Sequence, residues 1–296
     1  VNVSRECGQQ SAPAGWVFRR ITINGLRGGH SGIDIHRGRG NANKLLVRLL
    51  LGLARDGLIH LKRFSGGTAR NALSREAWAE VAVDPAKEAE IEKRLKAFQD
   101  LIADELSAQE KGIAATLSPA EAGPVISDAD QTLLLFALNA APHGVKRMSD
   151  AVPGVVETSN NVGVMALADG LFSANLMVRS LRDSGTTLLA DEIESLFRLA
   201  HCRVERSGGY PGWTPNPGSK LLALCKDVYA KEFGGEAAIQ IIHAGLECGI
   251  IGAKYPDLDT VSFGPTIKGA HAPGERVEIE TVAHCWTLLK AIIEAL

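Results

Sequence analysis

The chain has 296 residues, 45% of them hydrophobic, with mean hydropathy near zero, which is enough to bury two cores. Its 32 basic and 34 acidic residues leave a formal charge of -2, so no whole-chain electrostatic footprint for nucleic acid or an anionic membrane is present. Five scattered cysteines without a CxxC pair, no apolar run of membrane-spanning length and no signal-peptide layout point to reduced thiols in the cytoplasm, with a small or neutral partner.

In chain order, the segment beginning VNVSREC lacks an initiator Met and is expected to belong to a trimmed or excised piece. A period-two stretch from Trp16 to Ile23 predicts a strand, and leucines at 45, 46, 49, 50 and 53 predict a helix over 44–55. Strands are expected near 58–64 and 77–83, and a helix over 85–106 on Ile91, Leu95, Phe98, Ile102 and Leu106. The Ala-rich stretch 107–124 reads as an exposed connector. Helices at 128–140 and 188–200 then flank strands near 154–166, 171–179 and 202–207. Beyond 218, helices over 221–233 and 281–296 surround strands near 237–243 and 259–263.

The run Ser207 to Gly218, with three prolines and four glycines, forbids continuous helix or central strand and marks a domain boundary. Upstream of it, strands and helices recur in two rounds, 15–105 and 110–206, a pattern compatible with a structural duplication although no residue-level repeat accompanies it. The alternation gives an α/β chain, with an α+β first part of antiparallel sheet and helices.

Five constellations could carry chemistry. In GGHSGIDIHRGRGNANK, glycines crowd His30 just before a helix, where an imidazole could stabilise an oxyanion; a Gly-rich turn whose polar side chains cap the helix fits equally. His36, Arg37 and Arg39 could hold a phosphate, though no GxxxxGK[ST] pattern is present. Asn71, in FSGGTARNAL, could bond a substrate, but closing an Asx-turn is the plainer reading of the residues. Arg179 follows an apolar run and could grip a carboxylate with both arms of its guanidinium, against a surface salt bridge as the plainer alternative. Glu247, after IIHAGL, places a carboxylate where a strand meets a Gly-bounded turn, beside His243, read as a satisfied, partly buried histidine. His271, in a Gly/Pro-defined loop, could present a neutral imidazole to a metal, but zinc takes three or four protein ligands and no HxD, Glu-Glu or HExxH pattern supplies the others.

Taken in order, GGHSGIDIHRGRGNANKLL, GGTARNAL, VVETSNNVGV, MVRSLRDSG, GGYPGW, IQIIHAGLECGI and VSFGPTIKGAHAPGERV resemble the bacterial aminoacyl-histidine (cytosol non-specific) dipeptidases, relatives of carnosinase among the two-zinc peptidases. The resemblance runs from about Arg5 to the C-terminus. It implies a catalytic domain split in sequence by a lid, with residues 1–213 as the lid and dimerisation domain and 214–296 as an incomplete returning part of an α/β zinc-peptidase catalytic domain. It further implies two zinc ions in the parent protein with His271 as their last ligand, a zinc-bridged water that attacks the dipeptide, and a homodimer. His30 resembles the lid histidine at the oxyanion, Asn71 and Arg179 resemble residues that bind the substrate's backbone and C-terminal carboxylate, and Glu247 matches a block near its other end. The other metal ligands of the family have no counterpart in the sequence, so this chain alone is expected to bind no metal and to be inactive. The rival expectation is a natural non-catalytic binding or dimerisation module built on the lid. Two positions depart from the family pattern: Ser74 stands where relatives have Pro, which would soften a turn, and Gly274 where they have Asp, which would loosen the orientation of His271 unless Glu275 compensates.

Overall fold

In a computed structural model the chain divides into two compact units, Val1–Gly209 and Tyr210–Leu296. The structure describes residues 1–150, 152–213, 216, 218–239, 247–268 and 275–296. His243 and His271, and most of the strand expected over 237–243, lie outside the described residues.

The first unit opens with β1 (Asn2–Glu6), the short β2 (Gln9–Gln10), β3 (Val17–Asn24) and β4 (Gly29–His30), followed by helix α1 (Ala42–Arg55). Next come β5 (Ile59–Gly66), β6 (Ala72–Leu73), β7 (Ala77–Val83), α2 (Glu88–Glu105), β8 (Ala114–Pro119), β9 (Val125–Ile126) and α3 (Asp128–Ala140). The unit closes with β10 (Gly144–Met148), β11 (Val156–Ala168), β12 (Leu171–Ser180), α4 (Asp183–Leu199) and β13 (Arg203–Glu205).

A nine-stranded sheet runs in the order β13-β1-β12-β11-β5-β7-β3-β8, with β10 also paired to β11, and the pairings among the described residues are antiparallel. Alternation sets its two faces. In β7, Ala77, Ala79, Val81 and Val83 enter the core with Ile21 and Ile23 of β3 and Ile59 and Leu61 of β5, while Trp78 and Glu80 take the opposite face. The two expected rounds thus merge into a single sheet around one core.

Helix α1 starts where Asn41 accepts from the Lys44 amide at 3.3 Å, and it buries Leu45, Leu46, Leu49, Leu50, Leu51 and Leu53. Ser127 caps α3 in the same way, accepting from the Asp130 amide at 3.2 Å. Asp130 also pairs with Arg5, which donates to the Ala200 carbonyl at 2.9 Å, so one partly buried ion pair ties β1 to the start of α3 and the end of α4.

The expected connector 107–124 is corrected in part: Ala114–Pro119 pairs with β3 as an edge strand of the main sheet. Its small residues carry almost no apolar alternation, because an edge strand is held chiefly by backbone hydrogen bonds to one neighbour.

The second unit holds α5 (Lys220–Phe233), α6 (Glu247–Lys254), a two-stranded pair of β14 (Ile267–Lys268) and β15 (Arg276–Val277), and α7 (Ile279–Ala295). Cys225, Val228 and Ile292 form its small core between α5 and α7. The strand expected at 259–263 is absent there: Asp259 instead accepts from the Ser219 hydroxyl at 2.9 Å and the Leu221 amide at 3.0 Å, capping α5. Those bonds hold its carboxyl below the usual range.

Candidate functional site

The glycine-rich loop before α1 is laced from within. His30 and Gly29 pair with Ala72 and Leu73, and the His30 amide donates to Asp34 Oδ2 at 2.9 Å. Asp34 Oδ1 receives Arg39 Nη2 at 3.0 Å and Arg37 Nε at 3.2 Å, and Arg39 Nη1 reaches the Gly28 carbonyl at 2.6 Å. The two arginines read as phosphate ligands therefore hold this loop together. Glu110, 4% exposed, accepts from the Arg27 amide at 2.7 Å and the Gly40 amide at 3.0 Å, closing both ends.

That lacing sets the chemistry of His30. Its Nδ1 accepts from the backbone amides of Gly32 at 3.2 Å and Ile33 at 3.3 Å. A ring nitrogen that accepts must carry a lone pair, so the neutral imidazole has its proton on Nε2. In this tautomer Nε2 is the ring's donor.

Asn71 sits at a turn closed by its backbone, Ala72 N to Ala69 O at 3.2 Å. The expected Asx-turn is not what holds it: among the described residues the Asn71 side chain makes no hydrogen bond, and Asn161 of β11 clamps the loop instead. Asn161 Nδ2 donates to the Arg70 carbonyl at 2.9 Å and the Ala72 carbonyl at 2.8 Å, while its Oδ1 accepts from Asn41 at 3.4 Å.

Beside it β11 bulges between Val162 and Val164, and Asn41 and Asn43 take up the carbonyls this frees, Val162 at 3.0 and 3.2 Å and Gly163 at 3.2 Å. A Cβ on Gly163 would stand 2.7 Å from Arg70 Cα, so the close approach of strand and loop requires glycine there. Ser74, where the family pattern has Pro, is buried and donates to Asn43 Oδ1 at 3.2 Å. Its hydroxyl adds a bond that Pro could not make.

Arg179 lies in β12, in register with Ser159, and is 8% exposed, which removes the surface salt bridge as its role. Its Nε donates to Ser31 Oγ at 3.2 Å and its Nη2 to the Met177 sulfur at 3.6 Å. The neighbouring carboxylate Glu157 is engaged by Arg147 at 3.3 Å and Arg182 at 3.2 Å.

Ser31 brings the three first-unit candidates together. It follows His30, its amide donates to the Asn71 carbonyl at 2.8 Å, and its hydroxyl receives Arg179. At 1% exposure it is itself a buried polar group with both its amide and its hydroxyl engaged. Sequence reasoning passed over Ser31, Asn161 and Glu110. The first two stand inside the family blocks GGHSG and TSNNVG; Glu110 lies in the stretch read as connector and gave no signal.

Two basic groups stand behind the bulge. His143 Nδ1 accepts from the Val162 amide at 3.4 Å, and burial, reinforced by the nearby Lys44 charge, pushes its pKa down to about 4. Lys44 donates to the Leu138, Asn139 and Ala141 carbonyls at 2.7, 2.7 and 2.8 Å at the end of α3, and burial lowers it to about 8.

In the second unit, Glu247 is exposed at the first residue of α6, a helix where a Gly-bounded turn was expected. Among the described residues no group of three or more His, Cys, Asp or Glu could hold a metal ion. The described residues thus do not by themselves make up a metal site. Among them, too, no helix is long and apolar enough to cross a membrane.

Residues 21–110 match the model of a peptidase dimerisation domain. The chain is 43% identical over 288 residues to the cytosol non-specific dipeptidase of Escherichia coli (strain K12), an alignment covering 97% of this chain and 59% of the relative. The crystal structure of aminoacylhistidine dipeptidase from Vibrio alginolyticus superposes with a TM-score of 0.90 at 42% identity, over 100% of this chain and 60% of that one. The chain therefore spans about three fifths of the length of the relatives it matches.

Proposed function

Because the chain belongs to the family of the aminoacyl-histidine, or cytosol non-specific, dipeptidases, we propose that it supplies the lid and a further part of the catalytic domain of a metal-dependent dipeptidase. The reading rests on one observation above the others, the convergence of His30, Asn71 and Arg179 on the buried Ser31. A dipeptide offers a terminal carboxylate and one scissile carbonyl close together. A buried guanidinium suits the first, because its fork matches a carboxylate and the low-dielectric setting strengthens the pairing. The Nε2–H of His30 suits the oxyanion that develops on the second, a contact typically worth about 3 to 4 kcal/mol of barrier. The Asn71 amide would bond the substrate backbone between them.

Two zinc ions are part of the proposal. When bound, they would polarise the carbonyl and supply a nucleophilic water. From this chain only His271 is proposed as a ligand, the others coming from sequence outside the 296 residues. Hence the chain by itself is proposed to be inactive. Glu247 is proposed to face the substrate's amino end. The dimerisation-domain match supports a homodimer, and the name of the curated relative supports a cytosolic setting.

Incubating an Xaa-His dipeptide with the purified chain, and separately with a zinc-loaded protein in which the chain is joined to the remaining length of its relatives, tests the reading. Hydrolysis by the longer protein alone is expected. Hydrolysis by the 296 residues that survives chelator controls would overturn the proposed inactivity, and an inactive longer protein would overturn the dipeptidase reading.

A further inference from the structure

We infer that Asp34 is a positioning residue for His30: its carboxylate, braced by Arg39, holds the turn that presses backbone amides against Nδ1 and so keeps the ring proton on Nε2. The inference rests on the proposed oxyanion role of His30 and extends it to the carboxylate that shapes the loop.

His30 and Asp34 exchange two bonds. The His30 amide donates to Asp34 Oδ2 at 2.9 Å, and the Asp34 amide donates to the His30 carbonyl at 2.9 Å, so one residue holds both backbone polar groups of His30. Between them the chain turns back on itself, and that closure brings the Gly32 and Ile33 amides to 3.2 and 3.3 Å from Nδ1. Whatever Nε2 meets, Nδ1 must then keep its lone pair, because a nitrogen that accepts cannot carry the proton. Gly29 leaves room for the carboxylate, since a Cβ there would stand 2.7 Å from Asp34 Oδ2.

The carboxylate divides its oxygens between two tasks. Oδ2 takes the His30 amide, while Oδ1 takes Arg39 Nη2 at 3.0 Å and Arg37 Nε at 3.2 Å. Arg39 is the firmer brace: its side chain is 8% exposed against 47% for Arg37, and its Nη1 reaches the Gly28 carbonyl at 2.6 Å. The backbone on either side of His30 is thus joined in one circuit through Arg39 and Asp34. Beyond Asp34, buried Ile35 packs with Leu73 and Val156 and anchors the far end of the turn. Asparagine could accept the His30 amide through its one oxygen but would turn an NH2 group towards Arg39; only the carboxylate serves both. The guanidinium in turn offsets a negative charge that, unpaired on this loop, would oppose a developing oxyanion.

The test measures hydrolysis of an Xaa-His dipeptide by the zinc-loaded protein that contains this chain. Asp34→Ala is expected to lower kcat about tenfold to a hundredfold with KM within about twofold, because a misplaced oxyanion donor is missed in the transition state and not in binding. His30→Ala should lower kcat at least as far, and adding Asp34→Ala to His30→Ala should lower it little more. Asp34→Asn should fall between the parent and Asp34→Ala.

A second readout needs no activity. In nitrogen-edited NMR spectra of the 296-residue chain with labelled histidine, at about pH 8 where free imidazoles are neutral, the His30 ring should show an unprotonated Nδ1 and a protonated Nε2, its signals being assigned by their loss in His30→Gln. In Asp34→Ala the two tautomers should mix. Should Asp34→Ala not fold, Asp34→Asn carries both readouts, each moving in the same direction by a smaller amount. A loss that falls mainly on KM, or a His30 tautomer unchanged in the variant that folds, would overturn the inference. If His30→Ala leaves kcat at the parent value, the oxyanion reading of His30 falls and the inference with it; if His30→Ala lowers kcat and Asp34→Ala does not, only the role of Asp34 falls.

Discussion

Arg179 donates from Nε to Ser31 Oγ across 3.2 Å, joining positions 148 residues apart in the chain. The bond links the strand that carries the proposed carboxylate grip to the loop that carries the proposed oxyanion donor. It also makes the two contacts depend on one another, since a shift of the loop moves both.

Replacing Arg179 with Lys keeps the charge and removes the fork. Steady-state kinetics on the zinc-loaded protein should show kcat/KM for a dipeptide falling about ten- to a hundredfold, with the larger part in KM. A variant that retains parent kinetics would remove Arg179 from the carboxylate site.

Asn161→Ala deletes two donors to the Arg70 and Ala72 carbonyls and the acceptor for Asn41. Asn161 is itself 1% exposed, whereas the Arg70 and Ala72 carbonyls it holds are only partly buried, so a loss of about 1 to 2 kcal/mol is expected in denaturant unfolding. Hydrogen exchange should rise around residues 67–75 more than in β7 of the same sheet; uniform acceleration would show that the clamp is not local.

Gly67 has φ +75°, and a Cβ there would stand 1.8 Å from the Gly163 carbonyl oxygen. Gly67→Ala should therefore cost about 2 to 4 kcal/mol, combining an unfavourable backbone region with a clash against backbone that cannot rotate away. A thermal midpoint within a degree of the parent's would contradict this packing.

Acid should unfold the first unit in two separable steps. His143 is lowered from 6.5 to about 4, first by burial and then by the Lys44 charge. The folded state keeps it neutral while the unfolded chain takes up a proton, so stability falls as pH drops from about 6.5 to about 4. His143→Gln should flatten that part of a plot of thermal midpoint against pH and leave the lower part intact.

The second step belongs to Glu80, held at about 2 chiefly by its bond from Arg63 at 2.7 Å, with Arg20 at 2.6 Å and Lys62 at 3.1 Å adding to it against the cost of burial. A depressed carboxylate stabilises fully above its unfolded pKa near 4.5, and the contribution disappears as pH falls towards about 2. After screening at the partly exposed arginines, about 1 to 2 kcal/mol is expected at neutral pH. Glu80→Gln should lower the midpoint at pH 7 and flatten part of the lower acid limb, the remainder resting on other depressed carboxylates of the unit such as Asp130.

Most first-unit elements were legible where residues bury one face. The leucines of α1, the alternation in β3 and β7, and the apolar spacing of α2 and α3 are each direct records of burial. Legibility failed at Ala114–Pro119, whose membership of the sheet is written in backbone bonds, and at Asp259, where a cap took the place of an expected strand. The site was half legible. His30, Asn71 and Arg179 stood out by residue type and family block, while the residue that joins them looked like an ordinary serine in a glycine-rich turn.

The sequence by itself determined the elements, the reading of family and the residue types needed for a carboxylate and an oxyanion, because these depend on local periodicity and on side-chain chemistry. Only the tertiary structure decided which amides face Nδ1 of His30, which carbonyls Asn161 holds and that Arg179 Nε donates to Ser31. Those bonds span up to 148 residues of chain and form only when antiparallel pairing, a bulge at Gly163 and a laced glycine loop bring the partners within about 3 Å. A hydrogen bond's partner is fixed by distance and angle in space, and neither is encoded by any single stretch of residues.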